Sequence, residues 1–123
     1  MIYGVGTDIV SVARIRKLTE RNPRFLTRFF TDKEEEYFSK KSDPYETIAA
    51  CFAAKEAVSK AMGTGIRQFS FKDIEVRHHE SGAPYIELYQ GARSLFERLG
   101  LKCIHLSLSH EKEYAVAYCV IEM

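Results

Sequence analysis

The spacing of apolar positions shifts along this chain between a helical period and a period of two, and those shifts lay out its elements. Ile2 to Val5 reads as a short strand, and Gly4 and Gly6 let backbone lie close to something just before Thr7 and Asp8. Ser11 is placed to cap a helix carrying Val12, Ile15 and Leu18. Asn22 and Pro23 read as the cap and first position of a new turn, and Thr31 followed by Glu34 has the form of a capping box, so two short helices are expected. Asp43 and Pro44 repeat the cap-and-proline signal. From there roughly to Met62 the chain is Ala-rich, without internal Gly or Pro, and Gly63 ends the helix.

Beyond that helix Ile74 and Val76 alternate with polar residues, Glu80, Ser81 and Gly82 make a turn, and Tyr85, Ile86 and Leu88 mark a return strand. Ala92, Leu95, Phe96 and Leu99 predict a short helix stopped by Gly100, and two strands follow, Cys103 to Ser109 and Tyr114 to Ile121. This order predicts an α+β fold, one compact domain over residues 1–123, with a mainly antiparallel sheet packed on a long central helix.

Composition narrows the partners. The 123 residues are 46% apolar, which suits one domain burying roughly two thirds of its unfolded surface. A net charge of +1 gives no bulk electrostatic case for nucleic acid or a bilayer, so any charge recognition is local. No basic lead or membrane-length apolar run is present, which with the cysteines points to the cytoplasm. Cys51, Cys103 and Cys119 are odd in number, lack CxxC spacing and read as buried free thiols.

Candidate chemistry begins with Asp8, in GVGTDIV, whose carboxylate is expected to project from a strand end; a turn or cap aspartate is the plainer reading. On the central helix Ala49, Ala53, Glu56 and Lys60 share one stripe. Glu56 and Lys60 read either as an ordinary surface ion pair or, given their apolar flanks, as part of a site. Asp8 with Glu56 would make a hard all-oxygen site suited to Mg²⁺; zinc is disfavoured, because the four histidines show no HxxxH helix spacing or nearby cysteine cluster. His78 and His79 read as hairpin surface. The turn Gly63, Thr64, Gly65, Ile66, Arg67 could hold an anion through loop amides, Lys60 and Arg67, or be a plain glycine C-cap. In IHLSLSH, alternation puts Ile104, Leu106 and Leu108 on a core face and His105, Ser107 and Ser109 on a polar one, with His110 opening the next turn.

The segments GVGTDIV, FAAKEAVSKAMGTG and HLSLSHEKEYAVAY, in that order, resemble the signatures of the holo-acyl-carrier-protein synthase family of small 4′-phosphopantetheinyl transferases. That resemblance implies transfer of the 4′-phosphopantetheine of coenzyme A to a carrier-protein serine, in support of fatty acid biosynthesis. It implies Asp8 and Glu56 as Mg²⁺ ligands, with Mn²⁺ a substitute, and Lys60 beside the pyrophosphate. Gly63, Thr64 and Gly65 would form the phosphate-side loop, and Ser107, Ser109 and His110 would run along the nucleotide. Arg14 would dock an acidic helix of the acyl carrier protein, with Arg21, Arg24 and Arg28 extending the basic patch. The larger relatives carry a glutamate two residues after the aspartate. Here Val10 stands in that place, which fits the small subfamily. A homotrimer with sites between subunits is implied as well. Glu56 or a metal-bound water could serve as base. A magnesium-dependent nucleotide pyrophosphohydrolase and a coenzyme A-binding regulatory module are the competing functions.

Overall fold

Helix α4 (Tyr45–Ala61) is buried around most of its circumference, with Ile48, Ala49, Ala50, Cys51, Ala53 and Ala54 all in the core, and the rest of the chain wraps it. In the computed structural model, which describes residues 1–123, β1 (Ile2–Ser11) runs into α1 (Val12–Arg21), α2 (Phe25–Phe29) and α3 (Asp32–Ser39) before α4. A 3₁₀ turn (Phe71–Asp73), β2 (Ile74–His78), β3 (Pro84–Leu88), α5 (Gln90–Arg98), β4 (Cys103–His110) and β5 (Tyr114–Glu122) follow. The α+β class holds, and all pairing is antiparallel. The strands divide into two sheets, β1-β5-β4 and the β2-β3 hairpin.

Local signals explain most boundaries. The Ser11 hydroxyl accepts the Arg14 N–H at the start of α1, and Thr31 and Glu34 form the reciprocal capping box of α3. Asn22 instead closes α1, and α2 starts at Phe25, because Asn22 Oδ1 accepts the Arg24 amide and leaves Pro23 in the turn. Helix α4 begins one residue later than the proline signal suggests, with Pro44 at the cap position. Gly63 follows its end at φ +88, a conformation that glycine adopts without a side-chain clash.

The strand β1 is longer than the expected Ile2 to Val5. It continues to Ser11 because each residue from Gly4 onward pairs with β5. Its Gly4 and Gly6 lie directly on α4: a Cβ at Gly4 would overlap the Ala61 carbonyl oxygen, and one at Gly6 the Ala57 carbonyl oxygen. The glycines thus set how closely strand and helix approach. On the far side of α4, Phe25, Phe29, Phe30, Phe52 and Phe71 form a contiguous aromatic cluster with ring centroids 5.0 to 6.5 Å apart.

One face of the three-stranded sheet covers α4, through Ala115, Ala117, Cys119 and Ile121. The other face is open and apolar, with Val5 53%, Ile9 63%, Val116 37% and Tyr118 49% exposed. The cysteine reading needs one correction. Cys51 and Cys119 are buried, but Cys103 is exposed, because edge-strand alternation turns it outward. Burial keeps the Cys51 thiol pKa well above its ordinary value and pushes that of Cys119 up to about 12. No helix is long and apolar enough to cross a membrane.

Candidate active site

Asp8 stands in the middle of β1, opposite Ala117, and not at a strand end. It shares the α4-facing side with Gly4 and Gly6, so the close approach that those glycines allow carries its carboxylate to Glu56 on the helix. Both line one cleft of about 440 Å³ whose other walls include Val10, Ser11, Arg14, Leu18 and Phe52. The Glu56 carboxyl is held above the usual range, first by burial and then by the neighbouring Asp8 charge, with Lys60 opposing.

Lys60 does not form the expected helix-surface pair with Glu56. Its ammonium reaches across to β1, 3.3 Å from Asp8 Oδ1 and 3.1 Å from the Thr7 carbonyl oxygen. The lysine side chain is 50% exposed and that of Asp8 19%, so the bridge sits at the mouth of the cleft, where the ammonium can turn towards an incoming anion.

The glycine turn has committed its amides. Gly63 N–H donates to Lys60 O, while Thr64 and Gly65 N–H donate to Ser59 O at 3.3 and 3.1 Å. This is the helix-closing arrangement: those three amides are occupied, which leaves the side chains of Lys60 and Arg67 as the candidate anion-binding groups here.

The β4 residues separate by alternation. Ser107 and Ser109 are exposed on the open sheet face, whereas His110, still within the strand, faces the α4 side. Its Nδ1 lies 2.8 Å from Glu46 Oε1, and it lines a second cavity of about 200 Å³ with Lys41, Thr47 and His78. His78 is half-buried and stacked on Tyr37 at 4.2 Å, not free hairpin surface; burial and then the Lys41 charge lower its pKa.

Arg14 is exposed and lines the Asp8–Glu56 cleft with Leu18, which is 37% exposed. Positions 14, 18 and 21 share one helix face, so Arg21 continues that stripe away from the cleft. Arg24 and Arg28, both exposed, flank a separate shallow groove with Asn22 and Thr27. Val12 and Ile15 are core residues, and Ile15 also lines the cleft beside Arg14 and Leu18.

The sequence profile of the 4′-phosphopantetheinyl transferase superfamily matches residues 4–119. The chain belongs to that superfamily. A holo-[acyl-carrier-protein] synthase of Clostridium novyi (strain NT) is 48% identical over 123 residues, covering 100% of this chain and 89% of the relative. The crystal structure of the Neisseria meningitidis holo-[acyl-carrier-protein] synthase superposes with a TM-score of 0.93 at 38% identity, covering 100% of both chains. A Bacillus anthracis holo-(acyl-carrier-protein) synthase solved in complex with CoA (3′,5′-ADP) gives 0.83 at 40% identity, covering 99% of this chain and 97% of that one.

Within this transferase-superfamily fold, the fully buried ammonium of α4 belongs to Lys55, which sequence reasoning passed over for Lys60. Lys55 Nζ is 2.8 Å from Glu34 Oε1 and donates to the Phe71 and Ile74 carbonyls at 2.8 and 2.6 Å. Glu34 also accepts the Thr31 and Val76 amides at 2.8 and 2.7 Å. Glu75 accepts the Thr31 and Tyr89 hydroxyls at 2.6 and 2.9 Å. The network ties α3, α4 and the segment after the glycine turn into one frame behind Glu56. The available signal was a lysine flanked by Ala53, Ala54, Ala57 and Val58 on a helix with no wet face.

Proposed function

We propose that residues 1–123 act as one transferase domain that moves 4′-phosphopantetheine from coenzyme A to a serine of an apo acyl carrier protein. The other product is adenosine 3′,5′-bisphosphate, and the reaction serves fatty acid biosynthesis in the cytoplasm. The observation that carries this reading is the meeting of Asp8 and Glu56 in one cleft, with Lys60 at its mouth and Arg14 on its wall. The full-length likeness to holo-acyl-carrier-protein synthases supports the choice of substrates.

The donor set fits Mg²⁺, or Mn²⁺ in its place: two hard carboxylates held together at a charge cost, with the lysine given to Asp8 rather than to Glu56. When bound, the ion neutralises the carboxylate pair and draws charge from the pyrophosphate. Lys60 then orients and neutralises phosphate oxygens, with Arg67 beyond the turn. Glu56, within the cleft, is the residue of this chain placed to act as the base. It takes the serine proton as the serine oxygen bonds to the phosphorus bearing pantetheine. The bond from that phosphorus to the bridging oxygen breaks, and the nucleotide leaves with the electron pair.

His110, in its cavity with Lys41 and Thr47, serves the nucleotide end. Ser107 and Ser109 lie on the open sheet face and join a site only if a second chain covers that face. The apolar surface of Val5, Ile9, Val116 and Tyr118 supports such an assembly, and we assign it to a homotrimer with sites between neighbours. Arg14, Leu18 and Arg21 present the basic, partly apolar stripe that receives the acidic carrier helix.

The test is incubation with coenzyme A, Mg²⁺ and an apo carrier protein, followed by intact mass. The expected result is a gain of one phosphopantetheine per carrier with stoichiometric nucleotide release. Coenzyme A cleaved without carrier modification would favour a pyrophosphohydrolase, and binding without turnover a regulatory module.

A further inference from the structure

Away from the cleft, three chemically different donors converge on the open sheet face. Cys103 and His105 are two apart on β4 and therefore point the same way, and Glu122 of β5 is the cross-strand partner of Cys103. His105 Nε2 lies 2.7 Å from Glu122 Oε2, and one donor atom from each of the three residues falls within 4.8 Å of the others. Cys103 is the single exposed thiol of the chain.

We propose that Cys103, His105 and Glu122 form a surface site for one Zn²⁺ ion, with the fourth position left to water. A thiolate, an imidazole and a carboxylate are a borderline-soft set that selects zinc over the magnesium suited to Asp8 and Glu56. Zinc takes sulfur at about 2.3 Å and nitrogen or oxygen at about 2.0 to 2.1 Å, so tetrahedral donors stand roughly 3.3 to 3.6 Å apart. To reach that spacing the His105–Glu122 contact of 2.7 Å must open, while the donor atoms already lie within 4.8 Å of one another.

Backbone pairing fixes the geometry further. Cys103 and Glu122 occupy the last rung of the β4–β5 ladder, and Ile2 pairs with Glu122 from the other side. Because β4 is an edge strand, an ion here clamps it to its neighbour at the margin of the open face. Binding gives up the His105–Glu122 hydrogen bond and releases the Cys103 thiol proton to solvent, so affinity rises with pH.

The test titrates the reduced full-length protein with Co²⁺ alone, followed by Zn²⁺ alone in competition with a chromophoric chelator. One ion per chain is expected at the thiolate-bearing site, with a thiolate-to-cobalt charge-transfer band that Zn²⁺ abolishes. Cys103→Ser should remove the band, and Cys103→Ser, His105→Ala and Glu122→Gln should each weaken Zn²⁺ binding by at least ~10-fold. Asp8→Ala should leave the band and the zinc affinity unchanged, and Cys51→Ser should keep the band. Absence of the band in the parent protein, its survival in Cys103→Ser, its loss in Asp8→Ala, or full affinity in any one of the three ligand variants would overturn the site.

Discussion

Gly6→Ala tests whether the approach of strand to helix sets the active-site geometry. The added Cβ would overlap the Ala57 carbonyl oxygen and lie 2.8 Å from the Ala61 nitrogen. Opening the second contact alone to about 3.5 Å asks for roughly 0.7 Å of movement, and the first asks for more, so β1 must lift by on the order of 1 Å. Neither obstacle is a flexible side chain; both are helix backbone. Overpacking of this kind costs about 1 to 3 kcal/mol, which lowers the melting temperature by roughly 4 to 12 °C in a domain of this size. Asp8 is two residues along on the same face, so it moves with the strand, and a displacement near 1 Å lowers transfer by about 10²-fold. The assay is carrier modification by mass, well below the variant's own melting temperature, beside a urea unfolding curve. Gly100→Ala is the control: Gly100 has φ +69 with open space around its missing Cβ, so it should lose about 1 kcal/mol and no activity. Undiminished transfer by Gly6→Ala would refute the link between this contact and the carboxylate pair.

Three further perturbations read the site and its frame. Because the Glu56 carboxyl is raised in the fold, its contribution to stability is complete below the ordinary glutamate value and is lost as pH rises through the folded value. At neutral pH without metal, Glu56→Gln should therefore raise stability, by at most about 1 kcal/mol at this partly exposed position, while transfer falls at least ~10²-fold; a lower melting temperature would contradict it. Arg14→Glu should raise the KM for carrier protein by roughly tenfold and leave that for coenzyme A unchanged, with the parent's carrier affinity weakening in salt; equal damage to both constants would signal misfolding. Lys55→Met strands the buried Glu34 charge and should cost about 3 to 5 kcal/mol in urea unfolding, part of it recovered when Glu34→Gln is added.

What could be read in advance divides by the range of the interaction. The capping box of Thr31 and Glu34, the stop at Gly63 and the hairpin turn at Gly82 are settled within a few residues, and each stands where the pattern put it. The split into two sheets, the exposure of Cys103 and the separation of Ser109 from His110 depend on which strand lies at an edge and which face meets α4. Period-two alternation assigns residues to alternate faces, but it does not say which face is covered. The donor group proposed for zinc is hidden from the sequence for the same reason. A Cys-x-His pair on one strand is visible in the sequence, whereas Glu122 joins it only through strand register.

The lysines show where a helical stripe misleads. Lys60 was singled out for its apolar flanks, yet it is half exposed and Lys55 is fully buried, because α4 is enclosed on nearly all sides and no single stripe defines its inside. The alanines carry the same lesson. Ala57 and Ala61 read as helix formers, but their second role is to leave their backbone uncovered so that Gly4 and Gly6 can lie against it. Small residues on both elements, far apart in sequence, meet at one contact, and that contact brings Asp8 alongside Glu56. Either half alone is a weak signal: a glycine pair before an aspartate, or an alanine-rich helix holding a glutamate. Their mutual fit makes of two ordinary segments a candidate site where two carboxylates are held together against their own repulsion. A folded protein keeps such a pair at a cost in stability that a bound cation can offset.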